Sequence, residues 1–352
     1  MFKRDEVWEF IQILVQKKRD ALGGVIAIVI GLFGNLPLIL EAVLVVVVFF
    51  LLYGIFQEAN AIQKTYKEKH VPIVIVAGTT HEEFNSTVFS VLEVMKQYRF
   101  EEKDYLEDFD FSREDWTVFR EGSLRESKEW ENLVHVFEKK IIRASEKLKG
   151  KKIFHIFFRG PSILAMGMGA IIGTKCEVVL HQHTPGAGSN LYQPLIDFYS
   201  MCDSSTEGTH TLKSRVDTPY EYITVEGNVS EPSSVWISIW LSSHDPKGDV
   251  EKAVEKISYP VSVLHLRSKY GGTLPTTIDW TKISKEVVTE ILNTVSRKDV
   301  KDVNICLSSP AIIAFALGMA VGTHSPVTLN NWFGSEYIPV LQLNKLRDFN
   351  IS

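Results

Sequence analysis

The sequence of 352 residues lacks the short motifs that mark several large enzyme classes. It contains no P-loop, no His-Glu-x-x-His motif, no Gly-x-Ser-x-Gly elbow and no Cys-x-x-Cys pair. These absences argue against P-loop nucleotide hydrolysis, zinc-dependent peptide hydrolysis, serine hydrolysis and dithiol redox chemistry. The nearest dinucleotide-binding pattern, Gly167–Gly173, falls inside a predicted helix and not in the preceding turn, which favours a packing role. We therefore expect a ligand-binding protein that is not an enzyme.

Cysteine and net positive charge are both scarce. Cys176, Cys202 and Cys306 are scattered, which favours buried reduced thiols in a reducing compartment over a disulfide framework. The net charge is −5, and residues 101–131 carry twelve acids and five bases, a net −7 that leaves about +2 for the remainder. Neither part has the basic footprint that long nucleic acid requires. The spacing within 101–131 is typical of an acidic surface loop, not of an acid–base pair.

A long apolar run is present in one place, residues 21–56. Its only charged residue is Glu41, and Gly34-Asn-Leu-Pro37 interrupts it. Thirty-six helical residues would reach about 54 Å, whereas one span needs about 30 Å. The length therefore predicts two short transmembrane helices that turn at Asn35–Pro37. Basic residues flank both ends, Lys17–Arg19 and Lys64–Lys69, so the positive-inside rule places both termini in the cytoplasm.

Other interpretations of the apolar run stay open. One span with a re-entrant segment, or a buried hairpin of a soluble fold, fits the composition less well. A signal peptide is disfavoured because a second apolar run follows directly, with no cleavage site between them. Glu41 could reach the headgroups, line a pore or contact another helix. Residues 1–16 read as an interfacial amphipathic helix, and residues 57–70 as a polar helical connector.

An internal repeat is the strongest positive feature of the sequence. Over Pro161–Gln182 and Pro310–Asn331, 149 residues apart, eight of twenty-two positions are identical without a gap. Each copy follows a strand-like run and predicts strand, helix and parallel strand. Small residues at every fourth position predict a helix that lies close on a sheet. Each proline is predicted at the first helical position.

The α/β rhythm runs twice along the chain from Val71. In the first half the predicted strands are Ile73–Ala77, Trp116–Phe119, Ile153–Phe158 and Val178–Leu180, and the predicted helices are Glu83–Gln97, Ser123–Leu148 and Pro161–Gly173. In the second half the predicted strands are Val235–Leu241, Val261–Leu266, Val303–Leu307 and Val327–Leu329, and the predicted helices are Gly248–Ile257, Asp279–Val295 and Pro310–Gly322. Thr218–Glu231 joins the halves. The fold class is therefore α/β, with two tandem Rossmann-like halves (about 71–217 and 218–352) and a cleft between them.

The loops that follow the strands are chemically alike in the two halves. Ligands of parallel sheets bind at the carboxyl ends of strands, where hydroxyls and helix N-termini take phosphate oxygens and Arg supplies the countercharge. Taken singly, each hydroxyl could merely cap a helix. The predicted ligand-binding residues are Thr79, Thr80, His81, Arg120, Arg159, Ser162, Ser242, Ser243, His244, Arg267, Lys269, Tyr270, Ser308, Ser309 and Trp332.

Aromatic and histidine side chains add two weaker possibilities. Tyr270, Trp332, Tyr337 and Tyr192 could stack on bases, although each taken alone is more typical of a core. His181 and His183 could hold a metal from one strand edge, but without a further ligand close in sequence we expect an ordinary hydrogen-bonded pair and no metal site.

The two strand–Pro–helix–Gly modules, followed by Tyr192-Gln-Pro194 and Tyr337-Ile-Pro339, resemble the SAVED domain, a fusion of two CRISPR-associated Rossmann-like (CARF-like) units. The resemblance covers roughly Val71–Asn350 and rests on the helix and strand pattern more than on polar residues. With the apolar hairpin in front, the chain looks like a two-helix membrane effector of bacterial CBASS anti-phage defence.

The resemblance implies an activating ligand and a mode of action. The ligand would be a cyclic di- or trinucleotide bound in the cleft, with no other cofactor. Its binding would drive self-association, and the gathered helices would disrupt the inner membrane in abortive infection. A membrane-anchored ring nuclease, or a nucleotide sensor that signals to a partner protein, are the alternatives.

Overall fold

The structure is a computed structural model and describes residues 68–184, 191–198, 209–229 and 233–347. These residues all belong to one compact unit. The predicted interfacial helix, the hairpin with Glu41, most of the connector and Cys202 lie outside the described residues. Within the described ranges, no helix has the length and apolar character needed to cross a bilayer.

Helices and strands follow the predicted order, with additions. The described first half contains β1 (Lys69–Thr79), α1 (His81–Met95), α2 (Glu102–Phe109), α3 (Arg113–Trp116), β2 (Thr117–Glu121), α4 (Ser127–Lys147), β3 (Lys152–Arg159), α5 (Ser162–Ile172), β4 (Glu177–His183) and β5 (Tyr192–Asp197). The described second half contains β6 (Ile223–Gly227), β7 (Ser234–Trp240), α6 (Lys247–Glu255), β8 (Ser262–Ser268), α7 (Trp280–Val295), β9 (Asp302–Ser308), α8 (Ala311–Val321), β10 (Val327–Trp332) and β11 (Tyr337–Gln342). The connector prediction was wrong at its end, because Lys69 and His70 already belong to β1.

The described strands form two mixed sheets. Five make the first sheet in the order β2-β1-β3-β4-β5, and six make the second in the order β11-β10-β9-β7-β8-β6. The inner neighbours are parallel, as the repeat predicted, and β5, β6 and β11 are antiparallel edge strands. Ile73–Val76 in β1 has no exposed surface, as expected for a parallel strand that is covered on both faces.

Helices fill the space between the two sheets. α4 contacts β2 and β11, and α7 contacts β5 and β9, so each touches both sheets. α5 follows a strand of the first sheet but contacts β9 and β10, while α8 contacts β3 and β4 of the first sheet. The repeated helices therefore cross over to the opposite half. This exchange binds the two sheets into one body.

The small residues of the repeat serve helix–helix packing, which corrects the prediction that they lie on a sheet. A Cβ atom added at Gly169 would lie 2.0 Å from the carbonyl oxygen of Phe315, and one at Gly318 would lie 1.9 Å from that of Met166. Glycine is needed because the backbones of α5 and α8 touch there. Each helix also begins one residue later than predicted, since Pro161 and Pro310 are N-caps.

The acidic stretch 101–131 is not a surface loop, so that prediction was wrong. It contains α2, α3, β2 and the start of α4. Asp115 is 1% exposed, and its carboxylate pairs with Arg143 at 2.6 Å and with Lys147 at 3.1 Å. It also accepts the Ser112 amide at 2.8 Å in a capping box of α3. One of the acids is therefore a buried anchor that fixes α3 to α4.

Candidate ligand-binding site

The carboxyl edges of the two sheets meet where α5 and α8 begin. The Ser162 hydroxyl donates to the Ser309 carbonyl at 2.5 Å, and the Ser308 carbonyl accepts the amide of Leu241 at 2.7 Å. The two helices run side by side in the same direction, because the start of α5 contacts a residue just before the start of α8, and the middle of each helix contacts the middle of the other at Gly169 and Gly318. Their positive N-terminal ends therefore lie together. Two adjacent helix N-termini with hydroxyls around them favour an anionic ligand.

Arg159 brings positive charge to this edge from the end of β3. Its guanidinium pairs with the Glu83 carboxylate at 2.5 Å. Glu83 also completes a capping box, accepting the Thr80 amide at 3.3 Å while its own amide donates to the Thr80 hydroxyl at 3.3 Å. Burial lowers the pKa of His183, and the charge of Arg159 lowers it further. Thr80, Arg159 and His183 thus lie around one side of the edge.

The other predicted residues of the first half lie further out. The Thr79 hydroxyl makes only a long bond of 3.4 Å to the neighbouring carbonyl. The His81 ring contacts Phe119 edge-on, with centroids 5.4 Å apart. Arg120, on β2, pairs with Glu129 at 2.5 Å. Arg120 is separated from β3 by β1, so it lies to one side of the proposed site and not at its centre.

In the second half, the structure brings His244 and Trp332 together. Their ring centroids are 5.1 Å apart, and His244 lies 3.1 Å from the carboxylate of Asp249 at the start of α6. Ser242 accepts the indole N–H of Trp240 through its carbonyl at 2.5 Å, and Ser243 is exposed. A partly exposed indole and imidazole form a small aromatic surface beside the hydroxyls.

Arg267, Lys269 and Tyr270 lie away from the meeting point. Arg267 stacks over the ring of Trp240 at 4.4 Å, one strand outside β7. Lys269 donates to the carbonyl of Tyr220, and Tyr270, which is 49% exposed, stacks on Tyr222 just before β6 with ring centroids 6.3 Å apart. As predicted for core residues, Tyr192 and Tyr337 are buried. The geometry therefore favours Arg159 over Arg267 and Lys269 as the cation nearest the centre.

A row of three histidines, two of them fully buried, was missed by the sequence analysis. His70 Nδ1 lies 2.8 Å from His155 Nε2, and His155 Nδ1 lies 2.9 Å from His181 Nε2. Burial lowers the pKa of His155 to about 2, helped by the neighbouring imidazoles, and lowers that of His181 to about 3. The residues are 85 and 26 positions apart, so only the register of β1, β3 and β4 reveals the row. Among the described residues, no cluster of three or more possible ligands is arranged to hold a metal.

The second half carries asparagines in place of the two buried histidines of the row, His155 and His181. The repeat offset of 149 places Asn304 at the position of His155 and Asn330 at that of His181. Asn330 Nδ2 lies 3.5 Å from Asn304 Oδ1. His181 Nδ1 and Asn330 Oδ1 are both buried and find no hydrogen-bond partner among the described residues. The halves therefore share polar side chains at these two strand positions, but the side chains differ in chemistry.

Comparison with known families identifies part of this architecture. Residues 204–343 match the model of the SMODS-associated and fused to various effectors sensor domain, abbreviated SAVED. Residues 204–343 are therefore similar to a SAVED sensor domain. The matched region contains all of β6 to β11, whereas the first sheet precedes it. No curated protein sequence matches the chain.

Three solved structures of the Acinetobacter baumannii Cap4 SAVED/CARF-domain containing receptor are similar. The receptor with the cyclic trinucleotide 3'3'3'-cAAA has a TM-score of 0.50 and 12% identity, covering 83% of this chain and 56% of that one. With 2'3'3'-cAAA the values are 0.49, 12%, 83% and 55%. The receptor described without a nucleotide gives 0.46, 10%, 83% and 54%. The likeness shows an α/β fold whose sheets resemble SAVED/CARF halves, and the chain spans about half the length of these receptors.

Proposed function

We propose that this protein senses a cyclic oligonucleotide at the edge where α5 and α8 begin. The SAVED domain at residues 204–343, a sensor domain by its family description, is the observation that carries this proposal. The Cap4 receptor of similar fold is described with bound cyclic trinucleotides, so this ring class is the first to test. A ring carries several phosphates and bases, and the edge offers helix N-termini, hydroxyls, Arg159 and the His244–Trp332 surface.

The output we propose is membrane disruption without catalysis. Support comes from the sequence of residues 21–56, whose apolar length suits two short helices with cytoplasmic termini. Two helices cannot enclose a polar path, because lipid would leave backbone and polar groups unsatisfied. We therefore propose that the ligand gathers several copies of the chain in the bacterial inner membrane. This would serve CBASS anti-phage defence.

Thermal melting of the detergent-solubilised full chain tests ligand sensing. Cyclic di-, tri- and tetranucleotides are compared with linear oligonucleotides of the same bases. A ligand at one hundred times its Kd stabilises the folded state by about 2.7 kcal/mol. We expect one ring class to raise the melting temperature while its linear counterpart does not. If no ring does so at millimolar concentration, the sensing proposal is wrong.

Two further measurements test the output. Analytical ultracentrifugation with and without the bound ring should show a ligand-dependent increase in particle mass, and an unchanged mass would contradict self-association. Chromatography of the ring after incubation should show no linear product. Accumulation of linear product would instead favour the ring nuclease.

A further inference from the structure

The cation nearest the centre of the proposed site is already neutralised by a carboxylate of the same chain. Arg159 Nη2 lies 2.5 Å from Glu83 Oε1, and the two side chains are 34% and 42% exposed. A ligand at this edge can therefore reach both groups. A phosphate that approaches Arg159 meets a negative charge next to its intended partner.

Glu83 is fixed to the neighbouring loop through its second oxygen. Oε2 accepts the Thr80 amide at 3.3 Å, and the Thr80 hydroxyl accepts the Glu83 amide. The carboxylate thus connects the loop after β1 with the end of β3, two of the loops around the site. Because the capping box holds its backbone, only the outer half of the side chain has to move to release Arg159.

The second half carries no copy of this ion pair at the equivalent place. The repeat offset of 149 places Ser308 at the position of Arg159. Ser308 is neutral and its carbonyl is bonded to the Leu241 amide. The pair is therefore a property of one side of the site and not a requirement of the fold.

We propose that Glu83 is a specificity-determining latch on Arg159, which a ligand phosphate must replace; this inference rests on the proposed cyclic-oligonucleotide function. A small phosphate gains too little from Arg159 alone to displace the carboxylate. A ring that also contacts the helix N-termini and the second half has further contacts to offset that cost. The latch thereby raises the threshold against inorganic phosphate and mononucleotides.

Removing the charge of Glu83 should tighten binding. An exposed ion pair opposes its own replacement by up to about fivefold in the binding constant. Repulsion between two unit charges about 6 Å apart in water adds a factor of about three. We therefore expect Glu83→Gln to lower the Kd for a bound ring by about tenfold. Gln is compatible with the third position of a capping box, so the helix start is kept.

The experiment uses the full chain in detergent with two readouts. Isothermal titration with 3'3'3'-linked cyclic triadenylate and with pyrophosphate measures affinity, and phenylglyoxal labelling with peptide mass spectrometry measures the accessibility of Arg159 without a ligand. Glu82→Gln, on the same helical turn and exposed, is the matched charge control. Arg159→Gln removes the labelled group and should weaken ring binding.

We expect Glu83→Gln to label faster at Arg159, bind the ring about tenfold tighter and gain affinity for pyrophosphate, with Glu82→Gln like the wild type. Unchanged labelling would show that the pair does not form, and would overturn the latch. Faster labelling with unchanged ring affinity would show that the ring leaves Glu83 in place, again against the latch. If neither the wild type nor Glu83→Gln binds a ring, the proposed function fails, and the latch loses its ligand with it.

Discussion

Acid should destabilise this protein through the two buried histidines of the row, His155 and His181. His155 and His181 have no exposed surface, and burial holds the pKa of each far below the ordinary value of 6.5. The unfolded chain takes up protons on both residues below pH 6.5, whereas the folded protein does not. Stability is therefore complete above pH 6.5 and falls as the pH is lowered towards about 3.

The loss can be estimated from linkage. Each residue that is protonated only when unfolded costs about 1.4 kcal/mol per pH unit. From pH 7.5 to pH 5.0, His155 and His181 together lower the free energy of unfolding by about 4 kcal/mol. The unfolding entropy is about 2.1 cal/mol/K per residue, so the compact unit Glu68–Ser352 should melt roughly 7 °C lower. The result depends only on both folded-state pKa values lying below 5.

Intrinsic tryptophan fluorescence of the full chain, melted between pH 7.5 and 5.0, measures this loss. The variant His155→Asn/His181→Asn introduces the residues found at the equivalent places of the second half, and its melting temperature should depend less on pH. His181→Asn alone should remove about half of the effect if the double variant does not fold. His324→Asn, at an exposed position, is the control and should follow the wild type. Parallel pH profiles of the wild type and the double variant would refute the reasoning.

Three further predictions concern packing, anchoring and the site. Gly169→Ala should cost about 3 kcal/mol, because its Cβ would overlap a backbone carbonyl, whereas Gly248→Ala, in open space, should melt like the wild type in the same assay. Glu286→Gln should cost about 2 kcal/mol in urea unfolding, because its buried carboxylate accepts three backbone amides at 2.6–3.0 Å; a change below 0.5 kcal/mol would contradict that role. Arg159→Glu should abolish the melting shift caused by a cyclic oligonucleotide, whereas Arg267→Glu should keep it, and the opposite ranking would move the site towards β8.

The repeat made most of the fold predictable. Strand–helix–strand modules of fixed spacing leave one arrangement of neighbouring parallel strands, and the structure confirms that arrangement in both sheets. The edge strands β5 and β11 were not predicted, because Pro194 and Pro339 interrupt short runs that show no alternation of polar and apolar residues. Periodicity identifies which residues line a helix face, but not what packs on it. The glycines of α5 and α8 were therefore predicted to pack on a sheet, whereas the two helices pack on each other.

The site was only partly predictable for a related reason. Strand-end loops can be recognised by position, which is why Ser162 and Ser309 were predicted at one edge, and the structure brings them into contact although they are 147 residues apart. The partner of a charged side chain cannot be read in this way. Glu83 lies 76 residues before Arg159, on a helix whose pattern suggests only a capping residue. Contacts between side chains on different strands and helices can be identified only once the fold is known.

The parallel contact of α5 with α8 joins two copies of one repeated unit, and both copies belong to the same polypeptide chain. A homodimer of such units would present every side chain twice about its axis, so one codon change would alter two contacts together. In this chain each change alters a single contact, and the two sides can diverge independently. The substitutions at Arg159 and Ser308, and at His155 and Asn304, are two places where they have done so. Such a chain can adapt one side to a new ligand group while the other side keeps its existing contacts.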